Sequence, residues 1–388
     1  MCHKVGVTFR SATPTAMCAT APLSIAALLA HGLAPPGASI TPTVDVFTSG
    51  ISQLPWSSGL RACYRIPSLL RLSNGTLLAL ASERLVGAGG CSDESPSNIV
   101  LRRSHDSGST WSAASLVLAA GANHLERSAW ALEDAATGTV YVFSNSNVST
   151  ATSCSCGVEA AVSKDRGASF APARRLPESS VYGSGLASGI THRSGRLIGC
   201  MRKICRNSCA ADYHSRAFFS DDHGETWASS PFLGAGTTEC QIAELSDGRL
   251  YMTSRPYKGS TGEPNVRLAS YSSDAGSTWS TPQAVPQLVD WGFADEGSVT
   301  SDPANGVLFF VHPDSHARAN LSLWRSTDDG RSWDAPVTVY PYSAAYSDSA
   351  VLDPRSAGGA GKTVGVLFEE DNNGASMAIS FTTVVYDR

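Results

Sequence analysis

Charge is scarce in this chain, and what there is forms no runs. Only 16% of the 388 residues are Asp, Glu, Lys or Arg, and the formal net charge is −5. With no basic patch there is no electrostatic footprint for a phosphate backbone, which argues against a nucleic-acid partner. An apolar run of the ~20 residues that span a bilayer is missing too, so no stable membrane span is expected. Long 3.6-residue hydrophobic periods are equally hard to find, which leaves little room for amphipathic helices. Acidic residues are absent altogether from Met1 to Val44, where only Lys4 and Arg10 are basic and Ala16–Leu33 is apolar and alanine-rich. Small residues follow at Ala34, Gly37, Ala38 and Ser39. Residues 1–44 therefore read as a cleaved secretory leader, with a disordered leader or an organellar transit peptide as the alternatives.

What the chain has in quantity is glycine (35), proline (20) and hydrophobic residues (42%). That is enough for a large core, and the balance favours many short strands joined by turns. Of ten cysteines, Cys2 and Cys18 fall in the leader. The other eight are Cys63, Cys91, Cys154, Cys156, Cys200, Cys205, Cys209 and Cys240. An even number agrees with disulfides in an oxidising compartment, and with a secreted or lumenal address. Zinc is the competing reading for Cys200, Cys205 and Cys209, although their spacing matches no usual zinc pattern. Sequons at Asn74, Asn147 and Asn320 are compatible with secretion.

The strongest internal signal is a repeat. "SHDSGSTW" at Ser104, "SKDRGASF" at Ser163, "SDDHGETW" at Ser220, "SSDAGSTW" at Ser272 and "STDDGRSW" at Ser326 share the frame Ser-x-Asp-x-Gly-x-Ser/Thr-aromatic. Their aspartates (Asp106, Asp165, Asp222, Asp274, Asp328) recur roughly every 55 residues. The frame is that of a hairpin turn: Asp accepts backbone N–H groups, Gly supplies positive φ, and the aromatic ring anchors the turn in the core. Residues between the fixed positions vary freely, which marks the frame as scaffold. The period fits a four-stranded sheet, the unit of a β-propeller, and residues 45–388 have room for six. Six strand-like pieces support this, at 75–83, 138–145, 195–202, 248–255, 306–313 and 362–370. The sixth unit lacks a box, which predicts a last blade closed by strands from both ends of the chain.

Together with the five boxes, "YRIPSLLRL" (Tyr64–Leu72) resembles the sialidase (neuraminidase) family, over a stretch from about Leu60 to Glu370. The resemblance implies an all-β, six-bladed propeller of four-stranded antiparallel sheets, and a retaining exo-α-sialidase that needs no cofactor or metal. Its partners would be sialylated glycans. Three arginines would hold the sugar carboxylate: Arg65 of Tyr-Arg-Ile-Pro, Arg255 of "ECQIAELSDGRLYMTSRP", and Arg318 after "EGSV" and "HP". Guanidinium suits the task because it grips a carboxylate bidentately and never loses its charge. Asp93, nine residues before Arg102, would be the acid/base on its loop, with Glu94 the adjacent competitor. Arg84 would line the carboxylate side.

"AAYSDSA" (Ala344–Ala350) makes Tyr346 the nucleophile, Glu239 its base, and Glu369 of "GVLFEEDNNG" the brace of Arg65. Sialidases use tyrosine where most glycosidases use a carboxylate. The anomeric carbon carries a carboxylate of its own, which would repel an anionic nucleophile. Cys63 and Cys91 each lie within two residues of one of these proposed site residues, which raises a disulfide between them that would pin the Asp93 loop. Trp130 departs from the family pattern in a region that can border the pocket. Transfer to an acceptor sugar and a non-catalytic glycan-binding propeller are the other readings.

Overall fold

The computed structural model of the chain describes residues 38–386, apart from 53, 87–90, 94, 121–123, 126–127, 146, 151–152, 156, 177–182, 185–187, 203–212, 258–264, 291–294, 354–361 and 372–376. Most of the leader, Glu94, Cys156, Cys205 and Cys209 lie outside the described residues. Every regular element among those described is a strand, and all the pairings are antiparallel.

Four blades are separate sheets. Blade 1 holds Gly50–Ile51, Arg61–Arg71, Leu77–Leu85, Ser97–Ser104 and Ser115–Leu118, and blade 2 holds Ala129–Asp134, Thr139–Asn145, Val158–Ser163 and Arg174–Arg175. Blade 3 is built on Ile190–Thr191, Leu197–Arg202, Ser215–Ser220 and Ala228–Ser229, joined by Gly183–Ser184. Blade 4 is Thr237–Glu244, Leu250–Pro256, Asn265–Ser272 and Gln283–Asp290. The remaining large sheet has eight strands because one long strand, Val337–Val351, serves two blades. Its first half pairs with Ala319–Ser326, completing blade 5 with Ser298–Asp302 and Val307–Pro313. Its second half pairs with Lys362–Asp371, which leads to Met377–Tyr386 in blade 6.

Both ends of the chain close blade 6, as the missing box predicts. Val44–Thr48 and Ala38–Ile40 each pair with Met377–Tyr386. Ala38–Ile40 lies inside the stretch assigned to the leader, so the folded body begins N-terminal to residue 44. Innermost strands touch in cyclic order, from Arg61–Arg71 through Ala129–Asp134, Ile190–Thr191, Thr237–Glu244 and Ser298–Asp302 to Val337–Val351 and back. That ring makes six blades among the described residues. Each of the six strand-like pieces in the sequence becomes the second strand of its blade.

The cores lie between blades, where the apolar faces of neighbouring sheets meet. Phe381 and Leu367 of blade 6 pack on Leu77, Ala79 and Val100 of blade 1, for example. The boxes take part in this packing. In the third, Thr226 N and Oγ1 donate to the two carboxylate oxygens of Asp222 at 2.8 and 2.5 Å, Gly224 N donates to Ser220 Oγ, and Trp227 Nε1 donates to Gly224 O. His223 and Gly224 both have positive φ (58° and 84°), so the turn is left-handed at two successive residues. A Cβ on Gly224 would stand 2.4 Å from the Tyr141 ring of blade 2, and one on Gly108 2.0 Å from Phe381 of blade 6. Each box thus seats its glycine against the preceding blade, and Trp227 packs on Tyr141 and Phe143 there as well as on its own blade's Phe218.

Trp130 belongs to this interior. It is fully buried, stacked on Phe143 at 4.3 Å, and it fills the space over Gly199. Its side chain is thus spent on the core between blades 2 and 3.

Candidate active site

Strand direction decides where functional side chains gather. The first strand of a blade starts at one end of the ring, the second returns to that end, and the third starts from it again. The boxes follow third strands, so they occupy the opposite end. Arg65 and Glu239 sit early in first strands, Tyr346 lies where Val337–Val351 begins its blade 6 pairing, and Arg84, Arg255 and Glu369 sit late in second strands. Arg318 directly precedes a third strand. All share the end away from the boxes.

Three of them stand at irregularities in their ladders. Register shifts fall between Arg65 and Ser68, between Thr237 and Cys240, and between Ala344 and Ser347. A bulge breaks the strict alternation of a strand and re-aims a side chain, here Arg65, Glu239 and Tyr346. At the first, Ile66 takes φ 56°, a conformation a β-branched residue rarely adopts. Its N–H meets Glu369 Oε1 at 2.6 Å, so the strained turn is held by the same carboxylate that braces Arg65.

The structure brings all eight expected residues to this end. Glu369 grips Arg65 bidentately, with Nε and NH2 each donating at 3.0 Å, and also accepts Tyr346 N at 3.4 Å. Tyr346 Oη donates to Glu239 Oε1 at 3.1 Å. Arg255 NH1 reaches Glu239 Oε2 at 2.6 Å and Tyr346 Oη at 3.0 Å. The guanidinium carbons of Arg65 and Arg318 lie 5.2 and 5.4 Å from the centroid of the Tyr346 ring. Asp93 is half-exposed, 2.8 Å from Arg84 NH1 and 3.6 Å from Arg65 NH1. A Cys63–Cys91 disulfide joins the strand of Arg65 to the Asp93 loop, as expected from the position of both cysteines beside site residues.

The electrostatics follow from burial and from these cations. Burial alone would push the Glu239 carboxyl up, but Arg255 and then Arg202 outweigh it and hold it down at about 2. Burial, reinforced by the negative charge of Glu239, pushes the Tyr346 phenol well above its ordinary value. Tyr346 is therefore neutral at rest, hydrogen-bonded to an ionised carboxylate that can take its proton.

Several residues here carried no sequence signal strong enough to name them. Arg202 NH1 donates to Glu239 Oε1 at 2.8 Å. Asp295 is buried and 2.8 Å from Arg318 NH2; burial pushes its carboxyl up to about 7 despite Arg318 and Arg255. Asp348, two residues beyond Tyr346, accepts Leu69 N, Ser188 N and Gln241 Nε2 at 2.8–3.1 Å. Gln241 in turn accepts Val299 N at 2.6 Å. This knot ties blade 6 to blades 1, 4 and 5 directly under the tyrosine. Asp348 belongs to "AAYSDSA", where its motif position is legible but its role as a hub is not. Cys200 pairs with Cys240, which replaces the zinc reading for Cys200.

Comparison with known proteins agrees with this architecture. The model of the BNR repeat-like domain matches residues 75–355. Sialidase-4 of Homo sapiens is 32% identical over 280 residues, covering 62% of this chain and 54% of that protein. Sialidase-2 of Cricetulus griseus is 28% identical over 367 residues, covering 82% of this chain and 92% of that one. The chain thus spans about half the length of the first relative and most of the second. A Hadza microbial sialidase of known structure has the same fold, with a TM-score of 0.68 at 22% identity over 82% of this chain and 65% of that one. By its five boxes, its propeller and these matches, the chain belongs to the sialidase family with Asp-box (BNR) repeats.

Proposed function

We propose that the chain is a retaining exo-α-sialidase that removes terminal sialic acid from glycoproteins, glycolipids or oligosaccharides. The observation that carries this reading is the contact of Tyr346 Oη with Glu239 and Arg255 at 3.1 and 3.0 Å, flanked by Arg65 and Arg318. Few other uses explain a buried neutral phenol aimed at an ionised carboxylate within a ring of guanidiniums.

In the mechanism, Arg65, Arg255 and Arg318 hold the substrate carboxylate. Asp93 gives its proton to the glycosidic oxygen, and the bond from that oxygen to the anomeric carbon breaks. Tyr346 Oη bonds to the anomeric carbon as its proton passes to Glu239. Asp93, now ionised, takes a proton from water; the hydroxide attacks, and Tyr346 leaves and recovers its proton from Glu239. Two displacements return the original anomeric configuration. The two disulfides close to these residues favour an oxidising compartment, secreted or lumenal.

The test is an α-sialoside with a fluorescent leaving group, given to wild type, Tyr346→Phe and Asp93→Ala. Wild type should release fluorophore, with the α-anomer of free sialic acid appearing first in the NMR spectrum. Full activity in Tyr346→Phe, or an inactive wild type, would overturn the reading.

A further inference from the structure

Glu239 is held by two arginines, of which only Arg255 was singled out in the sequence, and there as a ligand of the substrate carboxylate. Arg202 ends the second strand of blade 3, while Glu239 lies in the first strand of blade 4, so the contact crosses between sheets. Both side chains are largely buried, at 13% and 4% exposure. Arg202 differs from the structural arginines nearby on its own blade. Arg196 bonds Asp221, Ala275 O and Ser277 Oγ, and Arg193 bonds Glu244, Leu245 O and Ser246 O. Among the described residues, the hydrogen bond of Arg202 goes to Glu239, and its Nε is buried without an acceptor. Among the described residues it ties no loops together.

A covalent link fixes the two strands beside this contact. Cys200, two residues before Arg202 and so on the same face of its strand, is bonded to Cys240, the neighbour of Glu239. The register shift between Thr237 and Cys240 lets these adjacent residues serve both purposes, the disulfide towards blade 3 and the carboxylate towards Tyr346. The arrangement repeats that of blade 1, where Cys63 precedes Arg65 by two residues and Cys91 precedes Asp93 by two.

We propose that Arg202, set in place by the Cys200–Cys240 link, is a positioning residue that keeps Glu239 ionised and aimed at Tyr346 while substrate occupies Arg255. This rests on the reading of Glu239 as the base of Tyr346. The reason for a second cation is that Arg255 has two duties. It donates to Glu239 and to Tyr346, and it is one of the arginines that receive the substrate carboxylate. Once that anion arrives, the field of Arg255 at Glu239 is partly spent, in a site where burial favours the neutral acid. Arg202 contributes a charge that substrate does not neutralise. The other groups facing the base do not supply one: Glu296 and Asp295 are buried acids, and Tyr346 is the proton donor.

The experiment is the pH dependence of kcat and KM from pH 4 to 8 for Arg202→Met and Arg202→Lys on a fluorogenic α-sialoside. In Arg202→Met the acid limb of kcat should move up by roughly a unit. The loss should grow as pH falls, approaching roughly ten-fold only below the wild-type limb, and should all but vanish at pH 7.5, with KM nearly unchanged. Arg202→Lys should restore most of the limb, because it keeps the charge. Cys200→Ser with Cys240→Ser should move it the same way by less. A fall in kcat that is uniform across pH, or one confined to KM, would overturn the proposal. Should Arg202→Met not fold, Arg202→Gln keeps a donor without the charge and is read in the same way. If wild type cleaves no sialoside, the functional reading fails by itself, and Arg202 is judged from Tm against pH. Glu239 held low in the fold stabilises above its unfolded value, and this is lost as pH falls. Loss of Arg202 should therefore move acid unfolding to higher pH, and an unmoved midpoint would reject the role.

Discussion

Asp222 and Glu239 are both held at about 2, at opposite ends of the ring and by opposite means. Asp222 sits at the surface and is held by the Thr226 hydroxyl and N–H, then by the Ser220 hydroxyl, all within four residues of it. Glu239 is buried, which works against its charge, and two guanidiniums from two blades overcome that. A carboxylate satisfied by its own turn is a building device and can be copied five times. One satisfied only by distant partners is a device for chemistry, because its state depends on what else enters the site.

Breaking the second kind should cost activity. Tyr346→Phe removes the nucleophile without changing the packing of the ring, and kcat should fall roughly 10³-fold or more with Tm nearly unchanged. A melt and a fluorogenic assay on the same sample check both halves. Arg65→Lys should cost kcat/KM on the order of 10²-fold, since an ammonium cannot keep two bonds to Glu369 and also grip substrate. Here the measurement that matters is saturation kinetics, with the loss mainly in KM.

A smaller effect follows from Asp295. With its carboxyl raised to about 7, it is neutral below that pH and leaves Arg318 to the substrate; above it, the ionised form competes for the same guanidinium. KM for an anionic sialoside should rise several-fold from pH 6 to 8 in wild type, and stay flat in Asp295→Asn. A parallel rise in both would show that Asp295 does not face the bound carboxylate.

The smallest catalytic effect belongs to the box. Asp222→Ala should lower Tm by a few degrees at neutral pH while kcat of the folded protein stays at the wild-type value. Because the folded value is depressed, that Tm difference should shrink as pH falls from about 4 towards 2. A stable Asp222→Ala that had lost catalysis would erase the distinction between the two ends of the molecule.

The fold was legible because each box is local. Ser220, Asp222, Gly224, Thr226 and Trp227 bond one another within eight residues, so the turn is written where it is made. Which neighbour the box lands on was not legible: the contact of Gly224 with Tyr141 joins residues of different blades. Motif positions such as Arg65, Tyr346 and Glu369 were legible through resemblance. Arg202 was not, since "CMRKICRNSC" offers several basic residues and nothing in it points to Glu239. The role of Trp130 was not legible either, because a tryptophan in a strand looks alike whether it faces a pocket or the Gly199 backbone.

By itself, then, the sequence determined the repeat, the all-β class, and a last blade shared by both termini, because turn chemistry and strand alternation act over a few residues. Only the tertiary structure decided which carboxylates are ionised and which are spent on bracing. A charge is set by what burial removes and by which distant cations replace it, and both depend on the closing of the ring.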